Sequence, residues 1–195
     1  MSPLEILRKW ADLRANRRTL ARFRVRCAEP PTIYGRLLIA DFSPGWTGSI
    51  TLGRRVVICS SFEANPVGGT RTAFVLKGPE ARIEIGDGSG MSNALIAAYE
   101  SVVIGKDVNI GAGAKIMDTD FHPLDLDERI RNVNIPHRPV RLEDGVFVGT
   151  NAIILKGVTV GAESVIAAGA VVAKSVPPGE IWGGNPARFI KKLKP

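Results

Sequence analysis

The stretch Leu142-Glu-Asp-Gly-Val146-Phe-Val148-Gly-Thr-Asn-Ala152-Ile-Ile154-Leu-Lys-Gly-Val158-Thr-Val160-Gly-Ala-Glu-Ser164-Val-Ile166-Ala-Ala-Gly-Ala170-Val-Val172 places an aliphatic residue at every sixth position. Those residues are Leu142, Val148, Ile154, Val160, Ile166 and Val172, and four positions after each stands a small or β-branched residue, from Val146 to Val176. A helical stripe recurs about every 3.6 residues and would drift off such marks. A step of six fits a short strand and a turn, with the aliphatic residue and its neighbour two positions away on one face. Gly149 and Gly161 follow their marks directly, where a sharp corner needs positive φ or close backbone approach. Three steps close a triangular coil, and coils stack with paired strands about 4.8 Å apart. No coil buries its inner face alone, so each needs its neighbours. Sandwich turns do not recur every six residues without drift, so the expected fold is an all-β coil.

Outward from this stretch, Ile104-Gly105, Ile110-Gly111 and Ile116 repeat the pattern, as do Leu52-Gly53 and Ile58, while Ile85-Gly86 lies one residue out of phase with Ile104. The register stops after Ile116 and resumes at Leu142. The insertion 117–141 between them is rich in acids and holds both histidines, His122 and His137. A loop ejected from a regular scaffold is a natural seat for chemistry. A second excursion, Ala64 to Thr72, contains Pro66 and Gly68-Gly69. At the other end, Ser2-Pro3-Leu4-Glu5 reads as a capping box with proline at the first helical position. Leu4, Leu7, Trp10, Ala11 and Leu13 line its apolar side, and Pro30-Pro31 ends anything helical. The expected organisation is a basic amphipathic helix over 1–26, a connecting segment over 27–49, the coil over 50–182 with its loop 117–141, and a tail over 183–195 that starts a short basic helix.

The chain has 195 residues, 45% hydrophobic and 23% charged, with 21 glycines and only 6% aromatics. That excludes a disordered or collagenous chain and favours tight turns over a bulky core. The longest uncharged apolar run, Val165 to Ala173, is far short of the roughly 20 residues of a membrane span. No signal peptide is expected from a start without a basic stretch and apolar run. Cys27 and Cys59 give neither a disulfide framework nor a zinc spacing, so two reduced thiols in a cytoplasmic protein are expected. Eight basic and two acidic residues fall in the first 26, so nearly all of the net charge of +7 sits there. This arm is expected to cap the open end of the coil or to pack on a neighbouring subunit. No nucleic-acid partner is expected, and association with an anionic membrane surface is the lesser reading.

Residues 104–195 resemble the hexapeptide-repeat acyltransferases. The resemblance is carried by Ile104-Gly-Lys-Asp-Val-Asn-Ile-Gly111, Asp120-Phe-His122-Pro-Leu-Asp125, Arg138-Pro-Val140, Val146-Phe-Val-Gly149, Ala170-Val-Val-Ala-Lys174 and Gly183-Gly-Asn-Pro-Ala-Arg188. Within that family the chain is most similar to galactoside and maltose O-acetyltransferases and to the sugar acetyltransferases of polysaccharide pathways. The resemblance implies a left-handed parallel β-helix, acetyl-CoA as donor, and a homotrimer with the active site between adjacent β-helices. It implies His122 as catalytic base and Asn93 near the acceptor. It sets Phe147, Thr150 and Asp120 at the acetyl and acceptor pocket, and Ala168, Lys174, Arg188 and Lys191 along coenzyme A. No metal is implied. This sequence departs from the family pattern at Ala98, where an acid is usual, and at Ala173, where a threonine precedes the lysine; its His loop is also slightly longer.

The residues suit the chemistry. An imidazole near its ordinary pKa of about 6.5 can take a hydroxyl proton at neutral pH. Its second nitrogen needs an acceptor, for which a backbone carbonyl, Asp118 and Asp120 are the candidates. The oxyanion needs a fixed donor, either Thr150 or Asn93. Lys174, Arg188 and Lys191 are cations for phosphates. The expected activity is acetyl transfer from acetyl-CoA to a hydroxyl of a sugar or oligosaccharide. The alternatives are an N-acetyltransferase on an amino-sugar nucleotide, a xenobiotic acetyltransferase and a non-enzymatic module binding an anionic surface. Carbonic anhydrases of the same scaffold bind zinc with three histidines, two from one subunit; here the two histidines stand fifteen apart and only His122 lies in the matched loop, so a metal enzyme is not expected.

Overall fold

The computed structural model describes residues 2–69 and 71–193. The helix α1 (Pro3–Arg22) starts where the capping box placed it: Ser2 Oγ accepts from the Glu5 amide, and the Glu5 carboxylate accepts from the Ser2 amide at 2.6 Å. The chain then winds through strands in threes. The first coil is β1 (Arg26–Cys27), β2 (Thr32–Gly35) and β3 (Leu38–Asp41); the second is β4 (Ser49–Leu52), β5 (Val57–Ser60) and β6 (Ala73–Leu76). The third is β7 (Arg82–Ile85), β8 (Gly90–Ser92) and β9 (Leu95–Ala98); the fourth is β10 (Ser101–Ile104), β11 (Asn109–Ile110) and β12 (Lys115–Met117). A short helix, α2 (Leu126–Arg131), follows in the ejected loop. The fifth coil is β13 (Val140–Leu142), β14 (Phe147–Val148) and β15 (Ile153–Ile154), and the sixth is β16 (Thr159–Val160), β17 (Val165–Ile166) and β18 (Val171–Val172). The chain ends with β19 (Glu180–Gly184) and β20 (Ala187–Lys192).

Through β18 every third strand pairs in parallel, giving three faces: β1-β4-β7-β10-β13-β16, then β2-β5-β8-β11-β14-β17, extended at its end by β19 and β20, then β3-β6-β9-β12-β15-β18. The six-residue marks are the inward columns. Leu52, Ile85, Ile104, Leu142 and Val160 stack on the first face, Ile58, Met91, Ile110, Val148 and Ile166 on the second, and Phe74, Ile96, Ile116, Ile154 and Val172 on the third, all buried. Full burial of such a side chain contributes about 1.5–3 kcal/mol. Close approach, not positive φ, explains Gly149, where a Cβ would collide with the Ala168 backbone. The positive-φ turn positions follow their own six-step, at Gly145, Asn151, Gly157, Glu163 and Gly169.

Two expectations are corrected. Residues 27–49 are not a connector: β1 to β3 form the first coil, and Ile39 aligns with Phe74 beneath it. The C-terminus is not a helix. Gly183 to Pro186 reverse the chain, and β20 pairs antiparallel with β19, so an exposed sheet edge takes up backbone groups that a helix would have satisfied within itself. The ejected loop spans 118–139, between β12 and β13.

The phase slip between Ile85 and Ile104 also resolves. These two residues are partners. The third coil is short by a residue at one corner, between Met91 and Ile96, and long by two at the next, between Ile96 and Ile104. Asn93 makes the short corner with φ 47°. The long corner, Tyr99 to Ser101, is filled by Asp118 from the next coil.

Candidate functional site

The residues singled out from sequence fall along two different edges of the prism. Asn93, Thr150 and Ala168 lie on the edge between the second and third faces, where successive corners bond one to the next: the Gly113 amide donates to Ser92, Asn151 to Ala112, and Gly169 to Thr150. Asn93 is buried, and its Nδ2 donates to the carbonyls of Asn65 at 2.7 Å and Gly69 at 3.2 Å. It therefore anchors the excursion over this edge at Asn65 and Gly69. Its Oδ1 is buried and has no partner among the described residues. Phe147 stands exposed on the outer surface of the adjoining second face, between Asn109 and Val165.

His122 belongs to the edge between the third and first faces, on the loop that leaves the scaffold there. Its ring is exposed and forms no hydrogen bond with the described residues. Neither suggested carboxylate orients it. Both oxygens of Asp118 are engaged, Oδ1 by the Tyr99 amide at 2.6 Å and Oδ2 by the Glu100 and Ser101 amides at 2.7 Å. Burial raises the pKa of Asp118 above the ordinary carboxylate value, against the opposing pull of those three donors and of His137. Asp120 is held by Lys156, whose Nζ lies 2.7 and 2.6 Å from its two oxygens.

The base of the loop is tied together. The Asp120 amide donates to Pro136 at 3.0 Å, and the Arg138 amide to the Asp118 carbonyl at 2.8 Å. The His137 ring stacks on Tyr99 with centroids 4.2 Å apart, its Nδ1 lying 2.8 Å from the Ile135 carbonyl. His137 thus serves the loop base. Sequence reasoning missed Lys156 and Tyr99, since both are brought to the loop from other coils. At the tip of the loop Leu124 and Ile130 are uncovered, 84% and 74% exposed, among the charges of Asp125, Asp127, Glu128, Arg129 and Arg131.

The cations divide likewise. Lys174 is exposed on the His122 edge, whereas Arg188 and Lys191 project from β20 at the end of the second face. Within one chain the residues fall into two separate groups, His122, Asp120 and Lys174 on one edge and Asn93, Thr150, Phe147 and Ala168 on and beside another. The donor set does not fit a three-histidine metal centre to which one subunit gives two: His137 is committed to Tyr99 and Ile135, which leaves His122 as the one uncommitted histidine on its edge.

Residues 139–174 match the family described as the hexapeptide repeat of succinyl-transferase. A 2,3,4,5-tetrahydropyridine-2,6-dicarboxylate N-acetyltransferase of Staphylococcus aureus is 40% identical over 88 residues, 45% of this chain and 32% of its own length. The mitochondrial gamma carbonic anhydrase 1 of Arabidopsis thaliana is 35% identical over 126 residues, 61% of this chain and 40% of its own. The chain therefore spans less than half the length of either curated relative. A solved structure of a hexapeptide-repeat acetyltransferase of Vibrio cholerae, in complex with acetyl coenzyme A, is 37% identical with a TM-score of 0.54, over 58% of this chain and 61% of that one.

Proposed function

We propose that this chain, whose coils are similar to those of the hexapeptide-repeat acetyltransferases, transfers an acetyl group from acetyl-CoA to a hydroxyl of a sugar or oligosaccharide. In this reading the coil winds left-handed and works as a homotrimer, with the His122 edge of one copy facing the Asn93 edge of the next. One observation carries it: an exposed imidazole on a firmly tied loop, in a chain that holds Asn93, Thr150 and Ala168 on another edge. Both thiols are free, in keeping with a reducing cytoplasm.

The chemistry asks little of the protein. The acceptor hydroxyl attacks the thioester carbonyl carbon while His122 takes its proton. Thr150 of the neighbouring copy donates to the oxyanion that forms; both amide hydrogens of Asn93 are spent on Asn65 and Gly69, so its part is to accept from the acceptor through its unpartnered Oδ1. Collapse breaks the carbon–sulfur bond, and the proton held on His122 passes to the departing thiolate. Lys174, Arg188 and Lys191 hold the phosphates of coenzyme A.

The test is thiol release from acetyl-CoA across monosaccharides, oligosaccharides, amino sugars and chloramphenicol. A sugar hydroxyl is expected to support turnover, and an amine acceptor or chloramphenicol alone would overturn the acceptor assignment. His122→Ala is expected to lower turnover at least 100-fold with its thermal unfolding midpoint unchanged, because the ring is exposed and carries no hydrogen bond to the described residues. Wild-type turnover in that variant would sink the role given to His122.

A further inference from the structure

The helix α1 has two unlike sides. The side toward the coil is fully engaged. Asn16 is buried, its Nδ2 donating to the Gly35 carbonyl at 2.8 Å and its Oδ1 accepting from the Leu37 amide at 3.0 Å. Asp12 pairs with Arg36 at 2.6 Å, and Arg8 with Glu63 at 2.7 Å. Glu5 is taken up by the capping box. The helix's two acids are therefore both occupied.

The other side carries Leu4, Leu7, Trp10 and Ala11 over its first turns and Arg14, Arg17, Arg18 and Ala21 over the rest, at the spacings that share a helical face. Leu4 is 78%, Leu7 65% and Trp10 67% exposed, and the three arginines are exposed as well. No acid lies on this face. It is an apolar half followed by a cationic half along one helix of 20 residues, about 30 Å long.

We propose that this face docks α1 on an anionic lipid bilayer, with Leu4, Leu7 and Trp10 entering the boundary between headgroups and acyl chains and Arg14, Arg17 and Arg18 meeting lipid phosphates. The charge pattern selects the occupant. A nucleic-acid backbone satisfies the arginines and leaves the leucines and Trp10 in water. A second copy docked through the same face would need acids opposite the arginines, and that face presents none. An anionic bilayer supplies both partners at once. This surface is independent of the transfer reaction and stands or falls separately from it.

The experiment is flotation of the full-length protein with vesicles of phosphatidylcholine alone and of phosphatidylcholine with about one-third phosphatidylglycerol, at about 0.1 M and about 0.5 M salt. Binding is expected to the anionic vesicles only and to weaken strongly at the higher salt. Leu7→Glu/Trp10→Glu is expected to abolish it. Arg14→Gln/Arg17→Gln/Arg18→Gln should lower it about 100-fold, from roughly fivefold per arginine. Both variants keep Asp12, Asn16 and Leu20, so their unfolding midpoints should match wild type, and Arg54→Gln/Arg55→Gln should bind as wild type. Equal binding to neutral vesicles, or to neither, overturns the proposal. So does a wild-type protein that ignores vesicles while Leu7→Glu/Trp10→Glu changes its sedimentation, which gives the face to a second copy. Binding to a DNA duplex that is lost with the arginines but kept in Leu7→Glu/Trp10→Glu gives it to nucleic acid.

Discussion

Asp118 sits where the repeat is out of step. The long corner at Tyr99 to Ser101 turns three backbone amides toward one point, and the Asp118 carboxylate accepts all three while its own backbone carbonyl holds Arg138 at the far end of the loop. Replacing it with asparagine turns an NH2 toward one or two of those donors. Asp118→Asn should therefore destabilise by about 1–3 kcal/mol, read as a lowered urea midpoint at neutral pH. The carboxyl also leaves a signature in pH. Its folded pKa is raised, chiefly by burial, so the folded state holds this proton more tightly than the unfolded chain does. Its contribution to stability is complete below the ordinary value of about 3.9, falls as pH rises through the folded pKa, and is level above it. Asp118→Asn has no such slope. The gap between wild type and variant should narrow as pH rises from about 3.5 toward 7; a gap that widens would mean that the three amides, not burial, govern the proton.

At the scale of elements, Asn16 decides whether α1 stays on the coil. It bonds both sides of the corner Gly35 to Leu37, and the ion pair of Asp12 with Arg36 is partly exposed and weak by comparison. Asn16→Ala leaves the buried Leu37 amide and the Gly35 carbonyl unmet, at about 1–3 kcal/mol each. The expected result is early proteolytic clipping within residues 3–22 with the coil intact; a coil that unfolds together with α1 would show the two to be one cooperative unit. The start of this helix was legible because a capping box is a local device that needs no partner. The core columns were legible because burial recurs at a fixed step. The C-terminal strand was not, since Ala187 to Lys192 satisfies either pattern and the free edge of β19 decides between them. The first coil was hidden by Pro30-Pro31, although Ile33 and Ile39 stand six apart. Lys156 and Tyr99 were illegible for another reason: stacking of coils, not sequence proximity, brings them to the loop.

Across the whole molecule, the governing fact is the separation of the candidate groups onto two edges. A third-face strand lies between the corner at Asn93 and the corner at which the loop leaves, and a strand of four residues such as β9 spans about 13 Å. The loop cannot lean back freely, because the Asp120–Lys156 pair and the bonds to Pro136 and Arg138 hold its two ends on its own edge. If the transfer site is built as proposed, His122 and Asn93 of one working site come from different copies. That arrangement can be read without any structure of the assembly. His122→Ala and Asn93→Ala should each be inactive alone. Unfolded and refolded together in equal amounts, they form mixed trimers in which about one interface in four joins an intact His122 to an intact Asn93, so activity should return to about a quarter of wild type. Recovery to that level requires a shared site. If the mixture stays as inactive as its parents while sedimenting as mixed trimers, both residues serve one chain, and the pairing of edges falls even if the acetyl transfer stands.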